Sequence, residues 1–345
     1  MALGSIAAVN RIDWVDYSKG ICIFAVVTMY STNFVEENMS GRGWMHYFVD
    51  FAQPFRMPDF FLIAGLFVSR VINRPLTSFI DSKILYFLYF YMIWVTLKFV
   101  NMEWQRFLEP GNLRLLRDYF ALYVQPPSGQ LWFIYVLPLF FFVTRATRSI
   151  PNAVVLTVVI LLKLAVVKTG WKMLDNFSEY FVFFFSGYIF SSQIFRLVAW
   201  AGANVRLTGL VLVTWFAANL LLVWMGWSFL PGMQLLMGYA GAAAILLLST
   251  LLVGLPWMGW VRYMGENSIV IYLGFVVPLG VLRKIILENR LITDIGTAAL
   301  FVTLASIGGA LALRWAVRNT PLRFLFVRPA WACLWSNRGM VKEII

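Results

Sequence analysis

Histidine is nearly missing from this 345-residue chain, which has a single one, and cysteine occurs only twice. Chemistry that needs several imidazoles or thiols is thereby excluded, so no metal-ligand cluster or disulfide framework is expected, and nothing around the single histidine offers a Ser-His-Asp set. Cys22 sits in the first apolar run and Cys333 near the end, at different expected depths, so no pairing is expected. Phosphate-cradling glycine loops and dinucleotide fingerprints are absent too. Charge is scarce: 13% of residues are Asp, Glu, Lys or Arg, against 61% apolar. That is too little polar surface to cover a soluble globule, and the expected solvent is lipid. Acids are the scarcer sign, 16 against 28 Lys and Arg, for a net charge of +12. The cations fall in short clusters between apolar runs rather than along one stripe. They read as topology signals and contacts with anionic membrane lipids, not as a nucleic-acid face.

What the chain does have is long apolar runs, each near the roughly 20 residues that a helix needs to cross the hydrocarbon core. A closed barrel would show short alternating segments instead. The fold class expected is all-α: a polytopic transmembrane helix bundle of about ten spans, near residues 15–35, 47–69, 83–101, 130–147, 152–169, 177–196, 207–226, 233–254, 266–286 and 296–317. Trp and Tyr recur at the run ends, as an interfacial belt requires. The first run carries Asp16 and Lys19 and no small-residue cleavage pattern, so it reads as an uncleaved span rather than a signal peptide. Arg70, Arg74 and Lys83 lie between the second and third spans, Arg145 and Arg148 between the fourth and fifth, Arg196 and Arg206 between the sixth and seventh. The end of the chain adds Arg318, Arg323, Arg328, Arg338 and Lys342. The positive-inside rule then puts both termini in the cytoplasm. Residues 102–129 are expected to hold a short interfacial helix and a turn at Pro126, Pro127 and Gly129. One membrane domain over residues 1–330, with a short cytoplasmic tail at 331–345, is the economical division.

Ionisable groups at membrane depth cost several kcal/mol unless paired or hydrated, so each one is a candidate. Asp16, Lys19 and Tyr30 fall on one helical stripe, because eleven residues at 100° each return to within about 20° of the same face. Such a stripe suits a route across the membrane; it equally suits an Asp16–Lys19 pair at the interface with Tyr30 in the belt. Asp59 follows Arg56 and Pro58, which suggests a carboxylate–guanidinium pair one turn apart. Pro54, Pro58 and Gly65 mark a span that is broken or kinked. The lone His46 precedes this span. Gln130 and Trp132 open the fourth span, Glu179 opens the sixth, and Ser186 with Gly187 permits close helix approach. Glu266, Asn267 and Ser268 suit a helix cap, and Tyr272 lies deeper in the same run.

Five blocks, RIDWVDYSKGICIFAVVTMYS, PDFFLIAG, GQLWFIYVLPLFF, SEYFVFFFSG and MGENSIVIYLGF, resemble in this order the membrane-bound acyltransferase family 3, over nearly the whole chain. The resemblance implies transfer of an acetyl or succinyl group from cytoplasmic acyl-CoA, with no metal, to a sugar hydroxyl of an extracytoplasmic glycan or lipid-linked saccharide. The setting it implies is the cell envelope, at a bacterial inner membrane. The family's first span carries a basic residue, ten intervening residues and a histidine; Lys19 matches the first, and Tyr30 stands at the histidine position. The resemblance thus implies Tyr30, Lys19 and Asp59 as catalytic residues. It implies Asp16, Arg56, Lys83, Gln130, Trp132, Glu179, Asn267, Ser268 and Tyr272 as substrate-binding residues. A phenol with a pKa near 10 is a poor base at neutral pH, so Glu36, Glu37, Asp59 or His46 are alternatives for proton transfer. Two other functions fit the polar residues: a transporter or flippase for a glycan or lipid, and an acyltransferase homologue without turnover.

Overall fold

The computed structural model describes residues 11–107, 113–124, 129–289 and 292–334. Among the described residues all regular structure is helical, as expected. The chain runs through α1 (Asp13–Met39), α2 (Met45–Ala52) and α3 (Arg56–Leu66). The short α4 (Leu76–Phe79) continues through a π-helical stretch, Ile80–Leu85, into α5 (Tyr86–Phe107). Then come α6 (Leu113–Val124), α7 (Trp132–Ala146), α8 (Asn152–Leu164), α9 (Lys172–Ile189), α10 (Ser191–Ala203), α11 (Val205–Trp224) and α12 (Pro231–Leu252). The last four are α13 (Gly259–Glu266), α14 (Ser268–Gly274), α15 (Val276–Asn289) and α16 (Ile295–Val317).

Among the described residues, four helices are long and apolar enough to cross a membrane: Leu76–Asn101, α11, α12 and α16. A fifth is added if α9 and α10, bent by 75° at Phe190, are counted as one broken span. α7 and α8 are apolar but short, 15 and 13 residues, or about 20 Å of helix. Three expected spans are divided. The second breaks between α2 and α3, as Pro54 and Pro58 indicated: Pro54 cannot donate to a helical ladder, whereas Pro58 sits in the first turn of α3, where the missing N–H has no partner in any case. The sixth ends at Ile189 instead of 196. The ninth is three helices, interrupted at Asn267 and Phe275. The expected helix in 102–129 is present as α6, and Pro126 and Pro127 of the turn after it lie outside the described residues, as do Arg338 and Lys342.

Glycines set how closely the helices cross. α1 meets α13 at Gly20 and Gly265: a methyl group on Gly265 would overlap the Asp16 carbonyl oxygen, and one on Gly20 would overlap that of Val261. α3 meets α9 in the same reciprocal way, Gly65 under the Phe184 carbonyl and Gly187 under that of Leu62. Lipid tails give helices no hydrophobic reason to associate, so backbone-to-backbone packing of this kind carries the assembly. Between α3, α7 and α9 the space is filled by rings, with Phe140 at 5.0 Å from Phe61, 5.2 Å from Phe181 and 5.4 Å from Phe184. The end of the described chain is also pinned: Arg328 donates to the Asp81 carboxylate at 2.6 Å and to its carbonyl oxygen at 2.7 Å, and Trp94 Nε1 donates to Leu325 O at 3.0 Å.

Gly265→Val and Gly65→Val each lower the thermal unfolding midpoint of the purified protein, by the equivalent of about 1–3 kcal/mol or more. Gly209→Ala, on α11 with open space around the new methyl group, leaves the midpoint unchanged or slightly raised. Asp294 caps α16 by accepting from Thr297 N at 2.7 Å. Its hydrogen bonds with Thr297 hold this carboxyl below the usual carboxylate range. The contribution of the cap is therefore present above about pH 4 and lost as pH falls through the lower folded-state pKa. Asp294→Ala is accordingly destabilising at neutral pH and neutral in strong acid, checked by denaturation across that range.

Candidate functional site

Two cavities adjoin α3, one toward each end, and Met57 borders both. The first, of about 150 Å³, is bordered on α3 by residues from Met57 to Phe67. Lys19 reaches it from α1 and Lys83 from the π-helical stretch, where the wider turn re-aims a side chain that a regular α-helix would direct elsewhere. No carboxylate is among its described lining residues, which are mostly apolar and aromatic, including Phe87, Phe133 and Phe141. The Lys83 Nζ lies over the Phe141 ring, 5.6 Å from its centroid. Tyr86, at the start of α5, Ser268, at the start of α14, and Tyr272, one turn further on, complete the polar part of the wall. The cavity thus combines two basic side chains, three hydroxyls and an apolar sleeve.

The second cavity, of about 140 Å³, opens where α2 breaks from α3 and is bordered by Arg56, Lys163, Glu179, Tyr180 and Gln234. Lys163 donates to Gln234 Oε1 at 3.2 Å and lies 3.6 Å from Glu179 Oε1. Arg56 Nη1 donates to the Val49 carbonyl at 3.4 Å, and Arg56 Nε is buried with no hydrogen-bond partner. Between the cavities stands an aromatic wall: Trp132 packs on Tyr180 at 5.3 Å, Phe61 on Phe133 at 4.7 Å, and Phe133 on Tyr272 at 5.6 Å. Tyr30 belongs to this wall, its ring 5.5 Å from Phe275 and its hydroxyl within reach of the Trp132 indole and of the Arg56 charge.

Of the expected site residues, the structure gathers Lys19, Lys83, Ser268 and Tyr272 on the first cavity and Arg56 and Glu179 on the second, with Tyr30 and Trp132 between them. Four others lie apart. Asp16 is buried at the α1–α13 crossing, with Oδ2 unpartnered, and makes no ion pair with Lys19. Gln130 is buried ahead of α7 and lines neither cavity. Asp59 does not pair with Arg56. The two share the first turn of α3, but Asp59 turns inward to α1 and accepts from Cys22 Sγ at 2.5 Å, while Arg56 turns toward α2. Asn267 does not cap α14 with its side chain: the amide nitrogen returns to Tyr263 O at 2.8 Å, and the amide oxygen accepts from Arg314 Nη1. Among the alternative proton carriers, His46 contacts Glu36 Oε2 at 2.7 Å and Asp50 Oδ1 at 3.5 Å beyond the end of α1, and neither His46 nor Glu36 lines either cavity.

Sequence reasoning passed over Lys163 and Gln234. Both are polar residues inside apolar runs, so the criterion that selected Lys19 applies to them equally. Gln53 and Ser228, also on the second cavity, sit in turns where polar residues are ordinary, and nothing in the sequence marks them. No group of three or more His, Cys, Asp or Glu residues that could hold a metal ion occurs among the described residues.

Comparison with known proteins agrees with the blocks that lie around these cavities. No curated protein and no solved structure matches the chain. The model of a family described as an acyltransferase domain matches residues 12–315, which include α1 and all the walls of both cavities. The chain belongs to acyltransferase family 3 and is a membrane acyltransferase in general kind.

Proposed function

We propose that the protein transfers an acetyl or succinyl group from cytoplasmic acyl-CoA to a sugar hydroxyl of an extracytoplasmic glycan or lipid-linked saccharide. In this reading it lies in a bacterial inner membrane with about ten spans and both termini cytoplasmic. The short, broken helices count among those spans: a bundle whose members are interrupted at cavities needs fewer long apolar helices than it has crossings. That orientation puts the first cavity toward the cytoplasm and the second toward the outer face.

One observation carries the reading: Lys19 and Lys83 meet on a single apolar cavity with no carboxylate among its described lining residues. A nucleotide thioester has phosphates to meet the two lysines and a pantetheine arm and acyl chain to fill the aromatic sleeve. In the transfer, the acceptor oxygen bonds to the acyl carbon, the carbon–sulfur bond breaks, and the hydroxyl proton leaves with the thiol of coenzyme A. Tyr30 stands between the cavities, beside Trp132 and Arg56, where its phenol is placed to orient the acceptor hydroxyl or the acyl carbonyl. Ser268 and Tyr272 serve the donor from the cavity wall, and Glu179 serves the acceptor. Asp59, with Cys22, fixes α3 against α1, and Asp16, Gln130 and Asn267 support the walls rather than touching substrate.

Membranes containing the protein are expected to convert labelled acetyl- or succinyl-CoA into an acylated saccharide. Lys19→Met and Lys83→Met each raise the donor KM, by roughly 10-fold or more for the loss of a charge-assisted hydrogen bond, with a smaller effect on kcat. A transporter would show no dependence on coenzyme A, and that outcome refutes the reading. Tyr30→Phe is expected to abolish product formation while leaving donor binding intact, measured by retention of labelled coenzyme A. Full turnover in Tyr30→Phe would remove the phenol from the chemistry.

A further inference from the structure

The second cavity holds more charge than a site for a neutral sugar requires. Its described lining residues contribute two cations, Arg56 and Lys163, and one carboxylate, Glu179. Lys163 is buried near the end of the apolar α8 and is only partly compensated: Glu179 stands 3.6 Å away with its own side chain 44% exposed, and the direct hydrogen bond goes to neutral Gln234. Arg56 is compensated still less. It makes one long bond to the Val49 carbonyl, and its Nε is buried without a partner. Asp50 is near enough to act on Arg56 electrostatically but makes its contact with His46 Nε2 at 3.5 Å and does not line the cavity. A buried guanidinium donor left open is costly unless a ligand completes it. The remaining groups, Gln53, Gln234, Tyr180 and the unpartnered Ser228 hydroxyl, supply the mixed donors and acceptors that sugar hydroxyls need.

We propose that the second cavity binds a saccharide carrying an oxyanion, a carboxylate or a phosphate, next to the hydroxyl to be acylated, with Arg56 and Lys163 as its two cations and Gln234 holding Lys163 in place. Glu179 restrains Lys163 and so sets the affinity for the anion. This rests on the proposed function in calling the saccharide an acceptor, but the binding itself is independent of turnover. Arg56 meets the oxyanion with a planar fork and Lys163 with a point charge, a combination that tolerates both trigonal and tetrahedral anions.

The test uses the full chain in nanodiscs of phosphatidylcholine, whose zwitterionic headgroup offers no competing net charge. Thermal unfolding is followed with D-glucose, D-glucuronate, D-glucose 1-phosphate or inorganic phosphate at matched ionic strength. A ligand that binds only the folded state raises the midpoint. Glucuronate and glucose 1-phosphate are expected to raise it at concentrations at least tenfold lower than glucose does, and the stronger of the two identifies the source of the anion. Lys163→Met removes that preference, whereas Glu179→Gln strengthens the response to the charged sugars. Arg56→Gln acts like Lys163→Met, and if it does not fold, the Lys163 and Glu179 variants decide the matter alone. An equal response to glucose, an unchanged preference in Lys163→Met, or a response to inorganic phosphate as strong as to the charged sugars overturns the proposal. Acyl transfer from coenzyme A with no charged-sugar preference would leave the function standing and this inference refuted. The preference without any acyl transfer would do the reverse.

Discussion

Lys19 and Lys83 impose the constraint to which the rest of the structure answers. A basic side chain surrounded by lipid and apolar residues is expensive unless it finds a partner or a water-accessible space, and here two of them are set around one cavity. To bring them there, α1 must approach the end of the bundle where α3 finishes and α5 begins. Gly20 and Gly265 allow α1 to seat against α13 at backbone distance, and the π-helical stretch Ile80–Leu85 turns Lys83 toward the same space. The cavity is therefore a product of close helix crossings around it, not a gap left by poor packing. Its aromatic walls, Phe87, Phe133 and Phe141, remain continuous with the ring cluster of α3, α7 and α9.

The break between α2 and α3 does the corresponding work at the other end. Gln53 and Pro54, at the break, border the same space as Arg56, Lys163 and Glu179. With the helix broken, α3 has a polar cavity at its start and a basic, apolar cavity along the rest of its length, separated by the wall of Trp132, Tyr180, Phe61 and Phe133. For the proposed acyl transfer between compartments, such an arrangement would keep donor and acceptor apart except where the reacting groups meet, and would limit access of water to a thioester. Tyr30 is in the wall and within electrostatic reach of Arg56, a position from which a side chain on α1 could serve both halves of the proposed reaction.

Several residues show how sequence reasoning succeeds and where it stops. The stripe formed by Asp16, Lys19 and Tyr30 is real helical geometry, yet of the three only Lys19 directly lines one of the two cavities described. Asp16 is covered by α13 at the glycine crossing, and Tyr30 packs on Phe275. Periodicity gives the face of a helix but not which neighbour covers each part of it. Asp59 and Arg56 satisfy the spacing for an ion pair and do not make one, because the start of α3 faces α1 on one side and α2 on the other. Ser186 and Gly187 read as a close-packing pair, and Gly187 does lie against the Leu62 carbonyl. The kink at Pro54 was equally legible, since proline acts on its own backbone and needs no tertiary contact to do so.

The amino-acid order alone determined the solvent, the all-helical class, the family, the break in the second span and the polar residues that needed an explanation. Each of these follows from local quantities: apolar run length, backbone hydrogen bonding in lipid and motif identity. Tertiary structure decided the grouping: Lys83 with Lys19, Lys163 with Glu179 and Gln234, Cys22 with Asp59, and Asn267 with Arg314. Those pairings join positions distant in sequence through helix rotations of a few tens of degrees and crossings set by single glycines. Such small angles are fixed by the packing of whole helices against one another, and no local window of residues contains them.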